Sequence, residues 1–145
     1  NIKKHINSFV GKINQLPPDF SAIKVNGERS FKIARSGRKP NLKKREVYIY
    51  EFKILNIIEK NMANFFIKCS KGTYVRSLVR DLGRSLGVYA YVKELRRSSV
   101  GNFLEKNAIS LDNLYEEGQD TQKKSYLLPL DAALENFLKF VVNLK

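Results

Sequence analysis

The stretch from residue 45 to residue 87 constrains the fold most, because the pattern of its apolar residues changes from one typical of strands to one typical of a helix. Residues 45–58 (REVYIYEFKILNII) are dense in β-branched and aromatic side chains, which predicts a long strand. The polar loop EKNMAN follows, and FFIKC at 65–69 predicts the returning strand of a hairpin. Apolar residues then recur at helical spacing, at Val75, Leu78, Val79, Leu82 and Leu86. This pattern predicts a hairpin followed by an amphipathic helix that ends at Gly87.

The flanking sequence predicts shorter elements of both kinds. Helical spacing or a capping residue predicts helices at residues 2–10, from Phe31 towards Gly37, and in SLDNLYEE from Ser110. Apolar–polar alternation predicts strands at 21–25, closed by the turn dipeptide Asn26-Gly27, and within LRRSSVGNF at 95–103. Residues 15–18 (QLPP) predict an extended loop, because each proline disfavours helix in the residue before it. The predicted fold class is therefore α+β, with a mixed, largely antiparallel sheet and packed helices.

The charge of the chain points to a polyanionic partner. Its 145 residues carry a formal net charge of +13 and a pI of about 9.9. Residues 1–106 hold 23 Lys/Arg and 8 Asp/Glu, a balance of +15, whereas residues 107–145 hold 4 and 6, a balance of −2. The basic residues are spread over several predicted elements, which favours nucleic acid over a membrane surface. No apolar run approaches the roughly 20 residues that span a bilayer, so we expect no membrane partner.

The few cysteine, histidine and acidic residues offer little catalytic chemistry by themselves. Cys69 is the single cysteine and His5 the single histidine, so neither a zinc site nor a disulfide is predicted. Cys69 ends an apolar strand, where a buried structural thiol is the more usual role. The start of the chain is too polar for a signal peptide, and we expect a reducing, cytoplasmic setting. Asp19, Asp81 and Asp112 are scattered and form no evident acid–base pair.

The turn between the second strand and the following helix is more informative. Residues 70–73 (SKGT) join a strand to a helix N-terminus, where backbone N–H groups attract anions. The spacing is not that of a nucleotide-binding loop, so a helix cap with a flexible turn and a contact with one phosphate of a polymer both remain open. Arg76 lies in the first helical turn, where a cation opposes the helix dipole. A carboxylate from a neighbouring element would compensate it. Five aromatic residues are candidates for stacking on bases, although Tyr and Phe on strands are more often core: Phe20, Phe31, Tyr48, Tyr50 and Tyr74.

Three blocks of sequence go further when they are taken together. QLPPDFSAIKVNGERSFKIARSG, CSKGTYVRSLVRDLGRSLG and LRRSSVGNF, in this order and spacing, resemble the TruB-type tRNA pseudouridine synthases. The resemblance extends from about residue 7 to residue 115. It implies half of a pseudouridine synthase catalytic fold and an isomerase that converts a T-loop uridine (position 55) of tRNA to pseudouridine. Neither a metal nor an organic cofactor is implied, and the complete enzyme is expected to be a monomer.

The resemblance also implies roles for individual residues. Arg76 corresponds to the arginine that pairs with the catalytic aspartate, which explains a cation in the first helical turn. Tyr74 and Leu95 correspond to residues of the base pocket. Lys24, Lys71 and Arg97 correspond to positions that are either RNA-binding or structural.

The chain departs from the family pattern in one important respect. The family's catalytic aspartate belongs to a G-x-L-D-x-x-A-x-G block, and this block does not occur in the sequence. We therefore expect residues 1–115 to form part of a catalytic domain and residues 116–145 to be a linker leading towards a C-terminal RNA-binding domain. The chain alone is expected to bind RNA weakly and to lack isomerase activity. A non-catalytic basic RNA-binding module is the alternative reading.

Overall fold

Short strands and helices alternate along the chain, and the computed structural model describes residues 2–118 and 127–133. Backbone contacts divide the chain into two units, residues 1–93 and residues 94–145. The elements of the first unit are α1 (Ile2–Asn7), β1 (Gly11–Gln15), β2 (Lys24–Val25), β3 (Glu28–Arg29), α2 (Ser30–Arg35), β4 (Arg45–Glu59), β5 (Met62–Cys69) and α3 (Val75–Ser85). Those of the second unit are β6 (Ser99–Val100), β7 (Phe103–Leu104), a 3-10 turn (Glu105–Asn107), α4 (Leu111–Gly118) and a second 3-10 turn (Leu130–Ala133).

The hairpin predicted from residues 45–69 is confirmed, and it forms the centre of the first unit. β4 lies between β1 and β5 in a three-stranded antiparallel sheet. The register places Val47 opposite Ile13 of β1 and Phe52 opposite Ile67 of β5. The β4–β5 pairing shifts between Ile49 and Glu51, so an irregularity interrupts the alternation of side chains there.

One face of this sheet packs against α1 and α3, as the apolar stripe of α3 predicts. Ile49 of β4 and Leu78 of α3 are completely buried, and Ile6, Phe52 and Leu82 are 3% exposed each. The Phe52 and Phe65 rings lie 5.5 Å apart in a tilted arrangement. Burial of this apolar area supplies most of the stabilisation of the unit. The core thus fixes the position of α3 on the sheet, and with it the start of that helix.

Three expectations for the first 25 residues differ from the structure. The first helix ends at Asn7, and residues 11–15 form β1, whereas the sequence predicted helix to residue 10 and a loop from Gln15. Pairing with β4 explains β1, because backbone hydrogen bonds to a long neighbouring strand stabilise a segment of weak intrinsic strand preference. The strand predicted at 21–25 is reduced to Lys24–Val25.

A small hairpin and a helix follow β1. Asn26 and Gly27 have φ values of 51° and 84°, the left-handed backbone that a two-residue hairpin turn requires. Lys24 and Arg29 are paired across this hairpin. The helix predicted near Phe31 is confirmed as Ser30–Arg35. The turn dipeptide therefore fixes the local geometry of residues 24–29.

The second unit contains shorter elements. The single strand predicted within residues 95–103 is instead a hairpin of two short strands, β6 and β7, because Gly101 turns the chain with a φ of 56°. The helix predicted from Ser110 is confirmed, and the Asn113 backbone N–H donates to the Ser110 hydroxyl at 3.2 Å. Most of the apolar segment at 127–145 lies outside the described residues. None of the helices described is long and apolar enough to span a bilayer.

Candidate functional site

The turn at residues 70–73 is ordered by its own hydrogen bonds. The Ser70 backbone N–H donates to the Tyr48 carbonyl at 2.8 Å, and the Ser70 hydroxyl accepts the Tyr48 N–H at 3.0 Å. The Thr73 hydroxyl donates to the Ser70 carbonyl at 2.9 Å. Gly72 has a φ of 81°, a conformation that favours glycine. The turn therefore extends the β4–β5 pairing and delivers the chain to the start of α3.

The predicted helix cap within this turn is wrong. Tyr74 occupies the N-cap position of α3, and its own side chain makes no capping hydrogen bond. Its backbone N–H instead donates to Oε1 of Gln15, 2.8 Å away and 59 positions earlier in the chain. Gln15 ends β1 and is only 2% exposed. A side chain from the sheet thus supplies the acceptor at the start of this helix.

Arg76 extends from the first turn of α3 towards the segment that follows β1. Its Nη2 donates to the Phe20 carbonyl at 2.9 Å. The ion pairs found among the described residues do not include Arg76, so a carbonyl oxygen is the partner that the structure gives it. The side chain is exposed. Its pairing with a carboxylate stays a prediction.

Two further α3 side chains bind the same segment, which we call the proline segment (residues 15–20). The Ser77 hydroxyl donates to the Leu16 carbonyl at 2.8 Å, and Arg80 Nη2 donates to the same oxygen at 3.0 Å. Arg80 also donates to both carboxylate oxygens of Asp81, at 2.9 and 3.2 Å. Arg84 lies farther from the same carboxylate, at 3.8 Å, so Arg80 is the closer ion-pair partner of Asp81. The first and second of the three sequence blocks therefore meet at the start of α3.

The predicted RNA-binding lysines of the first unit are both exposed. Lys24 lies on β2 and Lys71 in the turn at 70–73. Several aromatic side chains for which a core position was favoured are instead accessible, with Phe20 55%, Tyr48 46% and Tyr50 52% exposed. The Tyr48 and Tyr50 rings lie 4.9 Å apart. The first unit therefore presents both cations and aromatic rings to solvent.

Leu95 and Arg97 belong to the second unit and precede β6. Leu95 is 62% exposed, and Arg97 is exposed as well. Arg96, between them, forms an ion pair with Glu105, and this hydrogen bond raises the pKa of the Arg96 guanidinium. The Glu105 backbone N–H donates to the Ser98 carbonyl at 2.8 Å. These contacts hold the LRR block against the β6–β7 hairpin within its own unit.

The side chains that can ligate metals are dispersed in the part of the chain that the structure describes. No group of three or more His, Cys, Asp or Glu side chains there is arranged to hold a metal ion. Cys69 is a free, partly buried thiol that packs against the core of the first unit. This location fits the structural role predicted for it.

Sequence reasoning missed Gln15, Ser77 and Arg80. Gln15 could have been found from the alternation of side chains along β1. Gly11, Ile13 and Gln15 lie on the same face of this strand, so an amide occupies a position where an apolar residue is expected. A polar side chain placed in a core position normally has a hydrogen-bonding reason. Ser77 stands next to the apolar stripe of α3 and is 1% exposed. Arg80 gives no comparable signal, because an arginine on a helix is usually solvated.

Comparison with protein families gives the identity of this fold. A family model described as "TruB family pseudouridylate synthase (N terminal domain)" matches residues 1–75. The chain belongs to the TruB family. A second model, described as "tRNA pseudouridylate synthase B C-terminal domain", matches residues 76–135. The two TruB matches together cover both the proline segment and α3.

Curated TruB relatives support the assignment over most of the chain. Proteins named tRNA pseudouridine synthase B are 49% identical over 137 residues in Ehrlichia canis and 38% identical over 135 residues in Caulobacter vibrioides. These matches cover 94% and 93% of this chain but 46% and 44% of the two relatives. A third, from Rickettsia africae, is 45% identical and is covered to 38% of its length. The chain thus spans less than half the length of these relatives.

A solved structure supports the fold. A chain in the crystal structure of a Cbf5–Nop10–Gar1 complex matches with a TM-score of 0.64 and 31% sequence identity. The match covers 86% of this chain and 34% of the other. The predicted α+β class with a largely antiparallel sheet, as part of a pseudouridine synthase fold, is confirmed.

Proposed function

We propose that this TruB-family chain is part of an enzyme that converts a T-loop uridine of tRNA, at position 55, to pseudouridine. The observation that carries the proposal is the meeting of two motif blocks at one point. Arg76 of the GTYVR block donates to the Phe20 carbonyl of the QLPPDF block at 2.9 Å. These two residues are 56 positions apart in the sequence.

The chemistry is an isomerisation. The enzyme breaks the bond between N1 of uracil and the ribose, turns the base, and joins C5 to the same ribose carbon. The C5 proton is lost and N1 regains a proton, so the atoms balance without a redox cofactor. A uridine within a folded loop must first be flipped out, which requires cations for the backbone and a pocket for the base. The exposed lysines and aromatic rings of the first unit suit that requirement.

The role of Arg76 in this proposal is to hold the catalytic aspartate. A guanidinium has five N–H donors, so one donor on the Phe20 carbonyl leaves others for a carboxylate. A bidentate arginine–carboxylate pair would orient the aspartate towards the ribose. The family correspondence assigns Tyr74, two residues before Arg76, and Leu95 to the base pocket of the complete enzyme.

The remaining assignments follow the same reading. Lys24, Lys71 and Arg97 would contact tRNA phosphates, since all three side chains are exposed. Residues 1–115 would belong to the catalytic domain and residues 116–145 would lead to a C-terminal RNA-binding domain. The enzyme would act as a monomer in the cytoplasm, on the T-stem loop.

Tritium release from tRNA that carries 5-tritiated uridine tests the proposal. A longer polypeptide that contains this chain and supplies an aspartate block is expected to release tritium, whereas the 145-residue chain is expected to bind tRNA without release. A non-catalytic RNA-binding module is the second candidate, favoured by the balance of +15 in residues 1–106. That candidate predicts tRNA binding without release by either polypeptide, and such a result would exclude the enzyme.

A further inference from the structure

The proline segment and the start of α3 are joined by two hydrogen bonds, and the start of α3 supplies the donor in both. The side chain of Gln15 accepts the backbone N–H of Tyr74 at 2.8 Å. The side chain of Ser77 donates to the backbone carbonyl of Leu16 at 2.8 Å. We call this pair of bonds the clasp (Gln15–Tyr74 and Leu16–Ser77). Each partner thus contributes one side chain and one backbone group.

The Gln15 bond of the clasp replaces a capping interaction that many helices form with a side chain of their own. In a capping box, a Glu or Gln at the third helical position reaches back to the N-cap N–H. In α3 the N-cap residue is Tyr74 and the third position is Ser77, whose side chain is too short for that reach. Gln15 supplies the missing carboxamide oxygen from the end of β1. The first turn of α3 is therefore capped by the sheet rather than by its own sequence.

Both side chains of the clasp are buried, which restricts the orientations that they can adopt. Gln15 is 2% exposed and Ser77 1% exposed. The Gln15 carboxamide has only one sensible orientation, because its nitrogen facing the Tyr74 N–H would bring two donors together. That orientation leaves Nε2 buried without a hydrogen-bonding partner in the described part of the chain. A buried amide with such an unsatisfied donor calls for a positional reason.

Arg76 lies between the two bonds of the clasp along the helix. Its backbone is fixed by Tyr74 on one side and Ser77 on the other, and its guanidinium reaches the Phe20 carbonyl at the far end of the proline segment. A change in the distance between β1 and α3 would therefore move the backbone of Arg76 and the carbonyl that receives it.

We propose that Gln15 is a positioning residue for Arg76, acting through the Tyr74 backbone and together with Ser77. Because its side chain is buried, Gln15 is not accessible to RNA or to the reacting base. What Arg76 does for catalysis rests on the function proposed above, but the positioning itself is a property of the chain.

The test uses the isotope-labelled chain and nuclear magnetic resonance. Gln15→Leu removes the acceptor while keeping a similar volume, so the Tyr74 amide is expected to exchange with deuterium about tenfold faster, as for the loss of a helix cap. The Nε–Hε signal of Arg76 is expected to move towards that of a freely rotating guanidinium. Gln15→Glu keeps an oxygen that can accept the Tyr74 N–H, so both signals are expected to stay as in the wild type.

Two variants complete the design. Asn14→Ala changes an exposed amide on the same strand and is the matched control, with both signals as in the wild type. Ser77→Ala removes only the second bond of the clasp and is expected to shift the Arg76 signal. If Gln15→Leu does not fold, Gln15→Met, which also lacks the acceptor oxygen, takes its place. An Arg76 signal unchanged in the variants that fold, even with a lower melting temperature, would show that Gln15 is merely structural and overturn the proposal.

Failure of the proposed function remains distinguishable from failure of this inference. Absence of tritium release by the longer polypeptide that supplies the aspartate block would refute the function, while the Arg76 signals of the 145-residue chain would still decide the positioning role. In a polypeptide that turns over, Gln15→Leu is expected to lower kcat and to leave KM for tRNA unchanged.

Discussion

At the scale of single residues, Arg76 combines an unfavourable helix position with a specific partner. A cation in the first turn of a helix opposes the dipole by about 0.3–1 kcal/mol. The Phe20 carbonyl, 2.9 Å from Nη2, offsets part of this cost. A residue kept in such a position is more readily explained by function than by stability.

Replacement of Arg76 by alanine tests that explanation. In a polypeptide that releases tritium, Arg76→Ala is expected to lower kcat on the order of 10²-fold, as for the removal of one electrostatic contact to a reacting group. The affinity for tRNA is expected to change far less. Arg84→Ala, at an exposed position of the same helix, is the control. A variant that loses tRNA affinity while keeping kcat would contradict the carboxylate-pairing role.

The pH response of one surface carboxylate can be predicted from its neighbours. A hydrogen bond from Lys53, and then the charge of Lys53, lower the pKa of Glu51 from 4.5, with a smaller contribution from Lys68. Because the folded pKa is lowered, the stabilisation is present above about pH 4.5 and is lost as pH falls through the lowered value. Lys53→Met is therefore expected to raise the pKa of Glu51 in a carboxyl resonance titration. Lys60→Met should leave it unchanged, and an equal shift in both variants would contradict the assignment.

At the scale of elements, the strongest sequence patterns predicted the structure well. The β4–β5 hairpin and α3 were predictable because long apolar runs with a fixed period leave little choice of burial. β1 was not, since its stability comes from pairing with β4, a contact far away in sequence. The cap of α3 was not predictable either, because it too depends on a contact far away in sequence. Nothing within residues 70–77 indicates that the acceptor lies at residue 15. The Arg76–carboxylate pair came from family resemblance, and no periodicity could have supplied it.

The end of α3 gives a prediction of its own. After Ser85 the chain turns back, and a Cβ on Gly83 would lie 2.8 Å from the Ala90 Cβ and 2.9 Å from the Val88 carbonyl oxygen. Alanine is ordinarily preferred to glycine in a helix by about 1 kcal/mol, but here the backbone of the returning chain must move. Gly83→Ala is expected to lower the free energy of unfolding by about 1–3 kcal/mol in urea denaturation. The adjacent Arg84→Ala should have little effect, and a stabilised Gly83→Ala would contradict the close packing.

At the scale of the whole molecule, charge is distributed unevenly along the sequence. If the proposed RNA binding is electrostatic, the balance of +15 in residues 1–106 and −2 in residues 107–145 predicts that the binding surface lies in the first part. Such a surface attracts RNA over long range and releases counterions on binding. This prediction needs only the sequence composition, because net charge depends little on the details of folding.

Salt dependence provides the measurement. If about four phosphates are neutralised, tRNA affinity is expected to fall roughly 10²-fold between about 50 and 200 mM salt. Lys71→Gln is expected to reduce the slope by about one contact, whereas Asn102→Gln keeps the charge and should not change it. A binding constant independent of salt would contradict an electrostatic interface.

The clasp also has a consequence for how the chain folds. Gln15 and Tyr74 are separated by 59 positions, and the β4–β5 hairpin lies between them. Local pairing within the hairpin closes a short loop and is expected early, whereas joining β1 to α3 carries the larger entropic cost of a long closure. Interactions made after the rate-limiting barrier affect mainly the unfolding rate. Arg76 would then reach its final position in the last step of folding. Partial unfolding would accordingly begin with the separation of β1 from the start of α3, where Arg76 lies.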